Sequence, residues 1–270
     1  MARSPRLLIL GAHPDDAEFH AGALSIRYRE LGYPVKWVSA TDGRSGHHLD
    51  SSKALVERRK AEALSSAASI GAECDVWAFP DGALQPSLEL RHAIIREIRQ
   101  YQPDLVLTHR PWDYHPDHRA LGQAVQDACY LVTVPRILPE TSALSKDPVV
   151  ASMVDLFQRP VPFCPDFVLD GTPEFERVVD LLACHVSQVF EFLPVSFNAA
   201  EPVPSDPSER MEWLSRWFAT SISGRIDAFA PLLDTPPAQL LEAYEVCEYA
   251  SQLSREALAD LFPGCIDTML

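Results

Sequence analysis

Two tetrapeptides carry the residue types that metal-assisted hydrolysis needs: His13-Pro14-Asp15-Asp16 and His115-Pro116-Asp117-His118. A residue before proline is pushed toward extended geometry, so each His-Pro step fixes how its loop leaves the preceding segment. Catalytic zinc takes about three protein ligands, keeps an open position for water, and accepts both imidazole and carboxylate. A separate base must take a proton from the water, and a donor must meet the oxyanion formed on the attacked carbonyl. His13, Asp16 and His118 can supply the ligands, leaving Asp15 as base. His115, if protonated, can donate to the oxyanion or the departing nitrogen, with the Asp117 carboxylate holding its ring. One His-Pro-Asp turn alone is more often structural, and Asp16 alone reads as a helix cap. Two such turns at two strand ends point to one metal site. His20 and His92 fall in helical segments and read as packing or solvent-facing residues. His109 reads as support, and His47 and His48 occupy a loop near the expected site.

The segments around these turns must aim them at a common point. LLIL (7–10), VKWVSAT (35–41), DVWAF (75–79) and DLVLTH (104–109) are short apolar runs with strand character. Between them lie segments long enough for helices. One spans about 16–31. Another starts near Ser51 or Ser52 and stops at Gly71. A third, 88–101, puts Leu90, Ile94, Ile98 and Tyr101 on one stripe, and a fourth follows His118. Strands alternating with helices predict a parallel sheet covered on both faces, an α/β Rossmann-like architecture. Ligands then bind outside the carboxyl ends of the strands. The polar clusters GAHPDD, TDGRSGHH, PDG and WDYHPDH all fall at those ends. The proline-rich stretch 135–165 reads as an irregular loop over the site. FVLD (167–170) is another strand candidate, and 173–190 a helix. Residues 1–193 are expected to form the catalytic domain. Residues 194–270 are read as a linker and a mostly helical C-terminal extension on the same domain, with helices near 208–220 and 237–261.

The 270-residue chain is 47% hydrophobic and carries a formal charge of −15. It can bury a full core, and its acidity argues against nucleic acid or an anionic membrane as main partner. The first apolar run is four residues long, too short for a signal or a membrane span. Six scattered cysteines without a C-x-x-C pair read as thiols in a reducing compartment, so the expected location is cytoplasmic.

GAHPDDAE followed by HPDH resembles the PIG-L/LmbE-like superfamily of metal-dependent N-deacetylases. TDG (41–43), Arg59-x-x-Glu62, PDG (80–82), PDLVLTH (103–109) and His185-x-Ser187-Gln188 extend the resemblance, in order, across residues 5–190. It implies Zn2+, with Fe2+ as an alternative, on His13, Asp16 and His118. It also implies Asp15 as base and His115 beside Asp117 at the tetrahedral intermediate. Arg59 and Asp81 fall where the family's sugar deacetylases hold substrate hydroxyls. Without the resemblance, Arg59 reads as a solvated helix charge and Asp81 as a turn residue. The implied reaction is hydrolysis of the N-acetyl amide of an N-acetylglucosamine-like sugar or glycoconjugate, a small-molecule substrate. The alternatives are an amidase taking a larger acyl group and, further off, a non-catalytic sugar-binding module. The resemblance also implies a homo-oligomer. One departure stands out: sugar-thiol deacetylases can carry tyrosine two residues before the second motif's first histidine, where this chain has Asp113 followed by Tyr114. A dinucleotide-binding reading fails, because the first strand leads into two carboxylates and not G-x-G-x-x-G.

Overall fold

The computed structural model describes residues 3–50, 52–235 and 239–268. Ser51 and the first two residues of the 237–261 segment lie outside them. The first half alternates strictly: β1 (Leu7–Gly11), α1 (Asp16–Glu30), β2 (Val35–Thr41), α2 (Ser52–Ile70), β3 (Glu73–Phe79), α3 (Leu88–Tyr101), β4 (Leu105–Thr108) and α4 (Pro116–Ala128). Then follow β5 (Val149–Met153), β6 (Phe167–Asp170), α5 (Phe175–Ala183), the single turn α6 (Leu193–Ser196), α7 (Pro207–Phe229), β7 (Leu241–Val246), α8 (Arg255–Ala259) and β8 (Ile266–Asp267). The strands form one sheet in the order β3-β2-β1-β4-β5-β7-β6-β8. The first five are parallel, and β7 runs antiparallel to both of its neighbours.

The sheet is covered on both faces, which is why β1 is an unbroken apolar run and not an alternating one. Leu7 and Ile9 join the core under α1, α5 and α7, while Leu8 and Leu10 join the core under α3 and α4. All four are fully buried, each contributing about 1.5–3 kcal/mol by its transfer out of water. The chain order runs outward in both directions from the β1/β4 pair. That pair is therefore the topological switch point, where a crevice opens at the carboxyl ends. His13–Asp16 leaves β1 and His109–His118 leaves β4.

Three segments differ from expectation. The helix read over 173–190 stops at Ala183, and the chain bends by 85° into a second helical segment from Ser187. Val149–Met153, inside the stretch read as an irregular loop, is a fully buried strand paired with β4. The tail segment read as a helix over 237–261 contains β7, which lies between β5 and β6. Its Leu, Glu and Ala residues favour helices locally, and pairing on both edges overrides them. Helix α1 is broken at Ala21 (φ −149°). The Glu242 carboxylate, from β7, accepts the freed Ala23 and Leu24 N–H groups at 2.7 and 3.0 Å and the Tyr244 hydroxyl at 2.7 Å. It caps the second half of the helix from another element. No single described helix is long and apolar enough to cross a membrane; one bent pair, Thr172–Ala183 with Ser187–Ser196, passes by length and composition.

Candidate active site

The two switch-point loops bring His13, Asp16 and His118 together. His13 Nδ1 lies 3.2 Å from His118 Nε2. Asp16 places one oxygen 3.6 Å from His13 Nδ1 and the other 3.5 Å from His118 Nε2. The first loop is fixed from below: the Thr41 hydroxyl donates to the Ala12 carbonyl (2.8 Å), the Ser39 hydroxyl donates to the His13 carbonyl (3.1 Å), and the His13 N–H donates to Asp16 (2.7 Å). A side chain at Gly11 would place its Cβ 2.9 Å from Asp16 Cβ, so the strand's last residue has to be small.

Each histidine has carboxylates behind its far nitrogen. Asp81 and Asp117 stand 3.3 and 3.5 Å from His13 Nε2, and Asp113 stands 3.1 Å from His118 Nδ1, close but out of line for hydrogen bonds. Burial works against a charged ring at both positions. The carboxylates outweigh it: His13 is held well above the usual histidine range, and His118 is pushed up to about 9. The centre is thus built to hold positive charge. Two imidazole nitrogens and a carboxylate, converging with acidic partners behind the rings, fit a divalent cation. His13 also belongs to overlapping donor groups with His115 and His118 and with Asp81 and Asp117, and His118 to one with Asp16 and His109.

Asp15, next in the chain to Asp16, is buried. Burial pushes its carboxyl up to about 6, although the Arg59 guanidinium pulls the other way. Arg59, expected at a substrate hydroxyl, is only 2% exposed. It donates to Asp15 Oδ2 at 3.1 Å and the Pro14 carbonyl at 3.0 Å. Its place on α2 therefore sets it against the proposed base and away from solvent. Asp81 is also buried, with Oδ2 accepting the Ser45 N–H at 3.1 Å.

Asp117 differs from expectation as well. Its carboxylate turns away from the His115 ring to accept the Gly82 and Leu84 N–H groups at 2.7 and 3.1 Å. With those donors and His13 beside it, its pKa falls despite burial. The contact with His115 runs through the backbone: the Asp117 N–H donates to His115 Nδ1 at 3.2 Å, capping α4. A neutral His115 ring so engaged carries its proton on Nε2. Burial, His13 and His118 lower the His115 pKa, which favours the neutral ring over the protonated one that the sequence reading allowed.

Other residues gain roles that the sequence left open. His109 stacks on His118 at 3.8 Å, with Nε2 at 3.0 Å from Asp16 and accepting the Ala12 N–H at 3.2 Å. Asp113 accepts the His115 N–H at 2.9 Å. The sequence marks Asp113 through the WDYHPDH cluster and through its place two residues before His115, where sugar-thiol deacetylases can carry tyrosine. His185 pairs with Glu18 at 2.7 Å, the Ser187 N–H and hydroxyl donate to Glu62 at 2.9 and 2.6 Å, and Gln188 donates to the Gly46 carbonyl at 3.0 Å. His20 packs beside His109 and Arg225, and His47 and His48 stack in the β2–α2 loop. A separate cavity of about 510 Å³ near Arg3, Asp104 and Asp147 contains none of the expected site residues.

Residues 8–129 match the family described as PIG-L, GlcNAc-PI de-N-acetylase. The matched stretch is a little under half of the chain and contains both His-Pro-Asp turns. Among curated relatives is a Bacillus anthracis protein named "Probable N-acetyl-alpha-D-glucosaminyl L-malate deacetylase 2". It is 24% identical over 226 residues, 80% of this chain and 94% of that protein. Among solved structures, the N,N'-diacetylchitobiose deacetylase of Pyrococcus horikoshii matches with TM-score 0.69 and 20% identity, over 91% of this chain and 85% of that one. The 4-carboxy-2-hydroxymuconate hydratase of Pseudomonas putida matches with TM-score 0.66 and 17% identity, over 93% and 100%. These structural likenesses show a shared fold, and that fold serves hydrolases and a hydratase alike. The reaction must therefore be argued from the site.

Proposed function

We propose that this chain hydrolyses the N-acetyl amide of an N-acetylglucosamine-like sugar or glycoconjugate, with a divalent metal, zinc, on His13, Asp16 and His118. The observation that carries the reading is the convergence of His13 Nδ1, Asp16 and His118 Nε2 within 3.2–3.6 Å at the switch-point crevice, with a raised-pKa carboxylate next in sequence. A divalent ion in such a site supplies Lewis acidity toward a carbonyl oxygen and a lowered pKa for water. Fe2+ would suit the same nitrogen and oxygen donors. The names of the curated relatives, deacetylases of N-acetylated sugar conjugates, support this substrate class.

Asp15 takes the proton of the attacking water, and the Arg59 guanidinium fixes its carboxylate. His115 presents its Nε2–H to the oxyanion or to the departing nitrogen. Water's oxygen ends on the acyl carbon, the C–N bond breaks, and the amine leaves with the transferred proton, giving acetate and a free amino sugar. Asp117 acts on this step through His13, whose ring it orients. Asp81 keeps unused acceptor capacity on its two oxygens for a sugar hydroxyl. Amine release from N-acetylglucosamine glycosides, measured against added metal, tests the reading. Activity that survives complete chelation, or a His118→Ala variant with full metal content and full turnover, would remove it.

A further inference from the structure

The crevice has two chemically different sides. Toward the β2 and β3 ends it is polar: Asp81 stands 3.3 Å from His13 Nε2 and accepts the Ser45 N–H. Toward the β4 and β5 ends it is apolar: Trp112 and Tyr114 in the β4–α4 loop face water, as do Leu156, Phe157 and Val161 after β5. Tyr114 is 63% exposed and Phe157 40%. The Tyr114 ring lies 5.5 Å from His118 and 5.7 Å from His115, and it stacks on Phe157 at 6.4 Å. The apolar wall therefore begins at the proposed catalytic histidines and runs outward.

Both halves of the wall are anchored. The Phe157 N–H donates to Asp155 Oδ1 at 2.8 Å, and buried Arg110 pairs with Asp155 at 3.1 Å and Glu245 at 3.2 Å while donating to the Val161 carbonyl at 2.9 Å. On the other side, Asp113 fixes the His115 N–H and so the backbone next to Tyr114. An exposed apolar surface held this firmly beside a reaction centre marks a binding surface.

We infer that the Tyr114–Phe157 wall receives the acyl part of the substrate, and that the enzyme prefers N-acyl groups longer than acetyl. This rests on the amide-hydrolase reading above. An amide is planar and trans, so its two substituents leave on opposite sides of the C–N bond. With the hydroxyl-bearing amine part toward Asp81 and the carbonyl at the donor cluster, the acyl chain runs over Tyr114 toward Phe157. An acetyl group ends after its methyl and leaves Phe157 in water; a longer chain covers it.

The test compares amine release from methyl N-acetylglucosaminide and methyl N-hexanoylglucosaminide, which yield the same amine. The hexanoyl substrate is expected to have the higher kcat/KM, by on the order of tenfold. Phe157→Ala should bring the ratio close to one, and Phe157→Leu should keep most of it. Equal kcat/KM for the two acyl lengths, or a preference that Phe157→Ala leaves intact, overturns the inference. So does a preference for octyl over methyl N-acetylglucosaminide with no hexanoyl preference, which assigns the wall to the aglycone. If neither substrate is cleaved, the hydrolase reading fails, and calorimetric binding of the same pair judges the wall. Tighter hexanoyl binding that Phe157→Ala weakens upholds it, and equal binding removes it.

Discussion

His13-Pro14-Asp15 and His115-Pro116-Asp117 are the same tripeptide leaving two neighbouring strands, yet their surroundings push both ionisable positions in opposite directions. His13 is raised by the carboxylates of Asp117, Asp16 and Asp81 against its burial, whereas burial and two neighbouring histidines lower His115. Asp15 is raised by burial, with one guanidinium opposing. Asp117 is lowered because His13 and two backbone N–H groups outweigh burial. Burial favours the neutral form, and donors aimed at the oxygens favour the anion. A proton acceptor suits the first environment, and a fixed orienting anion suits the second.

Paired substitutions can break this contrast. Asp15→Asn should retain bound metal and lose roughly 10²–10⁴ in kcat, since an amide cannot accept the proton. Asp117→Asn should act through His13 and weaken metal affinity by about 10–100-fold. Steady-state kinetics at saturating metal, alongside metal titration, separate the two. If both variants fail in the same way, the loops do not divide the work as described.

The histidines allow a parallel comparison with a smaller expected spread. His13→Ala should lower metal content, read by elemental analysis. His115→Ala should keep the metal and lower kcat more than it raises KM, because its donor acts mainly in the transition state. Metal loss in His115→Ala would place that ring among the ligands, as its overlap with His13 and His118 permits.

Glu242 sharpens the same physics away from the site. Its carboxyl is pushed up to about 7 by burial, despite the Tyr244, Ala23 and Leu24 donors. An unfolded glutamate titrates near 4.3, so between those values the folded chain holds a proton that the unfolded chain has lost. Its contribution to stability is full below the unfolded pKa, falls as pH rises toward 7, and is flat beyond. Wild type should lose on the order of 1–2 kcal/mol relative to Glu242→Gln between pH 5.5 and 8, measured by denaturant unfolding. Parallel pH profiles for the two proteins would show that the donors, and not burial, set its ionisation.

Much of this protein was legible in one dimension. LLIL, VKWVSAT and DLVLT are strands because apolar runs between helices are satisfied in a sheet buried on both faces, whereas DVWAF pairs at the sheet edge with its side chains only partly covered. Their order already placed four polar clusters at one edge, and the His-Pro steps already set the exits of both loops. What tertiary structure alone decided is which group each side chain meets. Arg59 lies against Asp15 because α2 packs over the first loop, and Asp117 reaches His13 because the Gly82 loop folds back onto α4. VVASM and LEAYEV became strands because partners on either side supplied their hydrogen bonds. Periodicity and turn chemistry act between near neighbours along the chain. Hydrogen bonds, desolvation and pairing across more than a hundred residues, such as Glu242 to Ala23, exist only once the fold has brought their ends together.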